Sequence, residues 1–371
     1  MQPSNKRQPT DGQGSSEAKR DAAPARVTLV EAGGSGGVYQ HSLAVGVALA
    51  EDGVAVRIIT ATDAEIDDER IQLSRVLDWH RRSRFLRGPR ILASFVLRFV
   101  PAAMRTRGVV WVQGSFKPGL TLWLLLLLRL KGASLLYSPH TLFSRHGGAF
   151  ESLLFDLCIR VGGKIVVYNE ADYAELLRRK MAPTLAPLAM YVPPLRPEAV
   201  LKWQEYASTN RITVCSVGQL RADKNLPLLL RACAQAGQRL LIAGQDAGAL
   251  AEVSHESALH PDVAHVIEEY LQMDDLAAIL YVVGVVALPY SVASQSAVAV
   301  LARAYGCTTV AYEVGGLASQ ADITVPTLDL RDWVTALRDV GDRRRLSTEL
   351  ADLPTSDPEL ARILRDVVSP R

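Results

Sequence analysis

The sequence predicts an α/β protein made of two doubly wound halves, and three observations lead there. Short apolar runs of strand length alternate with amphipathic helical stretches from Val27 onward. A stretch rich in proline (Pro183, Pro187, Pro193, Pro194, Pro197) then interrupts the alternation. At Ile212 the alternation starts again. Repeated strand–helix–strand units pack as parallel sheets covered by helices, so two such series predict two sheets. The expected division is a disordered tail over 1–26, a first domain over 27–196 and a linker over 197–210. A second domain over 211–357 and a C-terminal helix over 358–371, packing back toward the first domain, complete it.

Composition narrows the function classes. The 371 residues are enough for two cores. A net charge of +2 gives no field suited to nucleic acid, so no nucleic-acid partner is expected. Cys158, Cys215, Cys233 and Cys307 are scattered among apolar residues without CxxC or Cys/His spacing. They read as reduced core thiols of a cytoplasmic protein, and no metal site is expected. The tail up to Arg26 is polar and has no apolar block of the kind that directs export.

Taken in order, Val27 to Val30 is a strand, Gly33-Gly34-Ser35-Gly36-Gly37 a glycine loop and Gln40 to Ala50 a helix. Gly53 ends that helix and Val54 to Thr60 is the second strand. A glycine loop at the C-terminal end of a parallel strand sits where α/β proteins bind ligands. It is not the dinucleotide fingerprint, because Tyr39 stands where the third glycine belongs. From His80 to Arg107 arginines mix with Ile91, Leu92, Phe95, Val96, Phe99 and Val100 at helical spacing. Two readings stay open: a face drawn to anionic lipid, or a solvated basic face whose apolar stripe packs on its own domain.

Val109 to Val112 is a strand, and the apolar run Leu120 to Leu128 is cut short by Arg129 and Lys131. Crossing a bilayer takes roughly 20 apolar residues, so this run reads as a buried helix. Ala133 to Tyr137 leads to His140, which either faces the ligand crevice or is an ordinary core histidine. Lys164 to Tyr168 is a strand, and Asn169 caps the helix after it.

In the second series Ile212 to Val217 is a strand that ends at Gly218. Arg221 and Lys224 follow, just before a helix N-terminus. Cations at the positive end of a helix are unfavourable unless an anion lies between, and this pair fits a diphosphate; the alternative is a solvated loop with Asp223 as partner. Arg239 to Ala243 is the next strand and Val285 to Leu288 a buried one, after which Ser294-Gln295-Ser296 precede a helix from about Ala297. Hydroxyls at a helix start suit phosphate, or simply cap the helix. Thr308 to Tyr312 is a strand, and Gly315-Gly316 turn the chain or approach a ligand. Asp357 reads as the cap of the last helix.

Four stretches, taken together and in this order, resemble glycosyltransferase family 4. They are GGSGGVYQHSLAVGVAL (33–49), YSPHTLFSRHGG (137–148), VGQLRADKNLPLLLRA (217–232) and LPYSVASQSAVAVLARAYG (288–306) with VGGL (314–317). The resemblance spans nearly all of Val27 to Val368. It implies the GT-B architecture, two Rossmann-like β/α/β domains facing each other across a cleft. It also implies a nucleotide-diphosphate sugar donor (a UDP- or GDP-sugar) on the C-terminal half and a glycan or lipid-linked acceptor on the N-terminal half.

By the same resemblance Arg221 and Lys224 neutralise the leaving diphosphate, and His140 lies near the donor sugar. Gln295, Ser296 and the backbone from Ala297 hold the distal phosphate, and Gly36 and Gly37 approach it; Gly218, Gly315 and Gly316 belong to the donor-binding loops. The reaction needs no metal or other cofactor and mostly retains configuration. Peripheral contact with a membrane through residues 80–107 is a further expected partner. The chain departs from the family where a pair of glutamates often stands, which is Ala293 (or Val292) and Leu301 here. Gln219 replaces an arginine, leaving Arg221 to do its work, and Ala297 stands where glycine is common. A catalytically degenerate nucleotide-sugar-binding or scaffold protein is the alternative function. A nucleotide-sugar epimerase would need cleft carboxylates that the sequence does not locate.

Overall fold

The computed structural model describes residues 26–78, 87–114, 117–140, 142, 149–340 and 358–368. The expected tail up to residue 25, the start of the basic stretch at His80, the residues of 137–148 after His140 other than Leu142, and Asp357 lie outside the described residues.

The first domain holds a seven-stranded sheet made of β1 (Arg26–Val30), β2 (Ala55–Ala61), β3 (Gln72–Leu77), β4 (Val109–Gln113), β5 (Ser134–Ser138), β6 (Lys164–Val167) and β7 (Thr184–Leu185). Its order is β3-β2-β1-β4-β5-β6-β7, and every pairing is parallel. Alternate strand residues feed two cores. Leu29, Ile58, Trp111 and Val166 face α1 (Gly36–Glu51) and α13 (Pro358–Val368). Val30, Ile59, Val112 and Val167 face the other layer: α2 (Arg87–Ser94), a π turn (Phe95–Phe99), α3 (Val100–Met104), α4 (Pro118–Leu130) and α5 (Ala149–Val161). α6 (Glu170–Arg178) is capped by Asn169, whose Oδ1 accepts the Asp172 N–H at 2.8 Å.

The second domain holds a six-stranded parallel sheet in the order β10-β9-β8-β11-β12-β13. Its strands are β8 (Val214–Val217), β9 (Leu240–Ala243), β10 (Ala264–Ile267), β11 (Val285–Leu288), β12 (Thr308–Tyr312) and β13 (Ile323–Val325). α7 (Pro197–Thr209), α10 (Met273–Val283) and α11 (Ala297–Ala304) cover one face. α8 (Leu226–Ala236), α9 (Leu250–Leu259) and α12 (Leu330–Val340) cover the other. The stretch 197–210 expected as a linker is helix α7, and it belongs to this domain. Trp203 is buried against α10 and donates from Nε1 to Asp275 Oδ1 at 2.6 Å. The polar residues that suggested a linker are the outer face of that helix.

The expected α/β fold of two Rossmann-like domains is the observed one. The run Leu120–Leu128 is half of an amphipathic layer instead of a buried helix: Leu124, Leu125 and Leu128 are inside, while Trp123 and Leu126 face outward.

Candidate functional site

Both sheets turn their strand C-termini toward the seam between the domains, and the loops leaving those ends meet there. In the first domain Glu31 follows β1 and is fully buried. Its carboxylate accepts the N–H of Gly33 at 2.5 Å and of Gly34 at 2.9 Å, and the Thr60 hydroxyl at 3.0 Å. The acid thus ties the glycine loop to the end of β2. Gly34 has φ +67°, and a Cβ there would stand 2.9 Å from that of Ala61, so only glycine fits. At Gly37 a Cβ would lie 3.2 Å from Ala297 Cβ, which places the start of α1 directly against the start of α11.

From the second domain, Gly218 ends β8 and a single 3-10 turn (Ala222–Lys224) leads to α8. Lys224 is 5 % exposed. Its Nζ donates to the Val217 carbonyl at 3.1 Å, stands 5.3 Å from the centre of the Tyr290 ring, and lies 3.2 Å from where a Cβ on Gly218 would be. Burial pulls the Lys224 ammonium down to about 7, the nearby Arg221 charge adds to this, and Asp223 opposes it. Arg221 itself grips Asp223 through Nε and Nη2, both at 2.9 Å. The two cations therefore differ. Arg221 has a carboxylate, whereas among the described residues no carboxylate pairs with Lys224.

Ser296 caps α11: its hydroxyl accepts the Ala299 N–H at 3.2 Å, and its own N–H donates to Gln320 Oε1 at 2.8 Å. Gln295 Nε2 crosses the seam to the Tyr168 carbonyl. Gly316 also sits on the seam, where a Cβ would be 3.3 Å from that of Asn169. A Cβ on Gly315 would fall 2.1 Å from the Ala293 carbonyl oxygen.

His140 stands just beyond β5 with φ +58°, a conformation unusual outside glycine. Its Nε2 is 2.7 Å from Gln113 Oε1; with a carbonyl oxygen accepting, Nε2 carries the proton. Its ring lies 5.1 Å from Tyr168 and edge-on to His41 at 5.2 Å. Burial pulls His41 down to about 4, and burial together with His41 holds His140 well below its usual value. Both rings are neutral at physiological pH. The Tyr168 hydroxyl and Trp111 Nε1 both donate to Ser138 Oγ, at 2.7 and 2.8 Å.

Gly36, Gly37, Gln295, Ser296, Ala297 and Gly316 thus meet at one seam, with Gly315 turning the loop beside it. Gly218, Arg221 and Lys224 form the loop beside α11, and Tyr168 links His140 to Gln295. Ala293 and Leu301 are buried in the second domain's core. Glu31, His41, Gln113, Tyr168, Tyr270 and Gln320 carry site contacts that the sequence reading did not single out. Tyr270 crosses the seam to Ser35, Gly36 and Glu65. Only Glu31 had a visible signal, as an acid closing an apolar strand before a glycine loop. Next to the seam a cavity of about 420 Å³ lies between Glu65, Asp67, Tyr191, Arg196 and Asp274.

Residues 211–342 match the family described as "Glycosyl transferases group 1". Sucrose-phosphate synthase from Thermosynechococcus elongatus superposes with a TM-score of 0.64 at 19% identity, covering 93% of this chain and 94% of that one. The catalytic domain of starch synthase IV from Arabidopsis thaliana, bound to ADP and acarbose, gives 0.67 at 12% identity over 94% and 96%. A UDP-forming trehalose-phosphate synthase from Burkholderia xenovorans gives 0.59 at 13% identity over 93% and 95%. At these identities the likeness is one of fold, the two-domain GT-B architecture. No curated protein sequence matches the chain.

Proposed function

We propose a glycosyl-transfer reaction for this chain, starting from a GT-B fold whose second domain belongs to the glycosyl transferases group 1 family. The donor is a nucleotide-diphosphate sugar, and the acceptor is a glycan or a lipid-linked sugar held by the first domain. Lys224 is the observation that carries this reading. An ammonium buried at the end of β8, without a carboxylate partner among the described residues and with its charge disfavoured by burial, is stabilised when an anion arrives.

In this reading the diphosphate lies between Lys224 and Arg221 and the start of α11. As the sugar–phosphate bond breaks, negative charge grows on the leaving diphosphate. Lys224 and Arg221 meet that charge in a low-dielectric site, where prearranged charges contribute most. They take the place that a divalent cation would otherwise fill. The Ser296 hydroxyl and the first α11 amides receive the distal phosphate. Gly36 and Gly37, without side chains, let the first domain's loop close over it. His140, neutral with Nε2–H committed to Gln113, presents Nδ1 as an acceptor for a donor-sugar hydroxyl. Transfer with retention, in the cytoplasm and in cell-surface polysaccharide or glycoconjugate synthesis, completes the proposal.

Calorimetric titration with UDP, GDP, ADP and their sugar conjugates tests it. Selective binding by the wild type, lost in Arg221→Ala and Lys224→Ala with turnover reduced at least about a hundredfold, is the expected result. Unchanged binding and turnover in both variants would overturn the phosphate site. A second reading, a nucleotide-sugar-binding protein without catalysis, is favoured by the burial of apolar Ala293 and Leu301 in the core. Donor binding without transfer to any acceptor would select it.

A further inference from the structure

The helical layer of the first domain that covers the face away from α1 has an unusual outer surface. Among the described residues fourteen large hydrophobic side chains are exposed, and nine of them lie on this one layer. Leu92 (52%) and Leu97 (73%) come from α2 and the π turn, Trp123 and Leu130 (85%) from α4, and Phe150 (71%) and Leu153 from α5. The layer is continuous, because the inner residue Phe95 places its ring 5.8 Å from that of Trp123 and α4 packs along α5. Scattered apolar residues on a surface need no explanation, but a patch spread over three neighbouring helices does.

The charges around the patch indicate what covers it. Exposed Arg90, Arg98, Arg129, Lys131 and Arg160 stand among or beside these side chains. The two acids on the same helices are Glu151 and Asp156, and Asp156 is already paired with Arg179 at 2.9 Å. A second copy of this face would bring cations against cations. A surface of anionic lipid headgroups over hydrocarbon would satisfy both features at once. No helix among the described residues is long and apolar enough to cross a membrane, so contact here is with the surface only.

We propose that the outer face of α2, the π turn, α4 and α5 docks the first domain on an anionic lipid surface. Leu97, Leu130 and Phe150 enter the acyl boundary, and the arginines lie at headgroup level. This holds whether or not the protein transfers a sugar, so its test is independent of the donor site.

The test is co-sedimentation of the full chain with phosphatidylcholine vesicles, with and without phosphatidylglycerol, at low and high salt. Wild type is expected to bind the anionic vesicles, to lose most of that binding at high salt, and to show Trp123 quenching by brominated acyl chains that Trp123→Phe removes. The exposed-site variant Leu97→Ser/Leu130→Ser/Phe150→Ser, checked for an unchanged melting temperature, is expected to lower partitioning at least about tenfold. Arg129→Gln/Arg160→Gln, which leaves the apolar contacts intact, should weaken binding only at low salt. Failure to bind anionic vesicles, or equal binding by the triple serine variant, would overturn the proposal. So would self-association of the wild type that the triple serine variant abolishes, since a second copy would then be the occupant.

Discussion

Lys224 makes the proposed donor site sensitive to pH. Its ordinary value is 10.5 and its folded value about 7. Between these values the unfolded chain carries the proton and the folded chain does not, so stability rises with pH across this window. The cost of the buried charge is fully present below about 7. Replacing the ammonium by an isosteric apolar group should remove that cost. Lys224→Met is expected to raise the melting temperature most near pH 6, with the gain shrinking steadily toward pH 10 in thermal melts. An anion reverses the preference, so UDP binding by the wild type should take up close to one proton near pH 8 and much less near pH 6. Titration in buffers of different ionisation enthalpy reads this directly; equal uptake at the two pH values would remove Lys224 from the site. The sequence placed Lys224 and Arg221 in one loop, because their spacing and the helix after them are local. It did not distinguish them. Asp223 folding back onto Arg221, and the Val217 carbonyl receiving the Lys224 ammonium, depend on how the turn at 222–224 buries one side chain and leaves the other half-exposed.

At the scale of elements, the seam is built from the starts of two helices. Gly37 at the start of α1 and Ala297 at the start of α11 are packed so closely that even a methyl group at Gly37 meets its neighbour at 3.2 Å. A branched side chain should therefore hold the two helix starts apart. Gly37→Val is expected to raise the KM for the donor at least about tenfold, with kcat less affected and the melting temperature within a few degrees of wild type, as steady-state kinetics and melts will read. An unchanged KM would separate this contact from donor binding.

The strands also show what sequence can carry. The strands read in advance are the inner ones, whose residues are buried on both faces and appear as unbroken apolar runs. The four passed over, β3, β7, β10 and β13, are the four sheet edges. An edge strand such as Gln72–Leu77 mixes polar and apolar residues and gives no such run. Likewise α7 read as a linker because only Val200 and Trp203 of its 13 residues are buried.

At the scale of the whole molecule, the two-domain fold was legible because each half repeats a local pattern. The seam was not, since it joins residues far apart in sequence: Gln295 to Tyr168, Tyr270 to the glycine loop, and Gln40 to Met273. No periodicity encodes which loop of one domain will touch which loop of the other. The chain's return path has the same character. After the second domain the chain comes back as α13, which buries Leu360, Leu364 and Val367 against α1, while Arg365 pairs with Asp52. Leu364→Asp is therefore expected to split thermal unfolding into two steps. The first domain should melt early and the second at its wild-type temperature; a single unchanged transition would show that α13 contributes little.

That return path bears on how the protein is made. A ribosome releases β1 to β7 before the second domain, yet the core between their sheet and α1 lacks one of its layers until α13 has followed that domain. The second domain, contiguous in the chain from α7 to α12, can close as soon as it has left the exit tunnel. The order of the two domains in the chain and their order of completion are thus reversed, and the first domain waits, with the α13-facing side of α1 uncovered, for α13 to be translated.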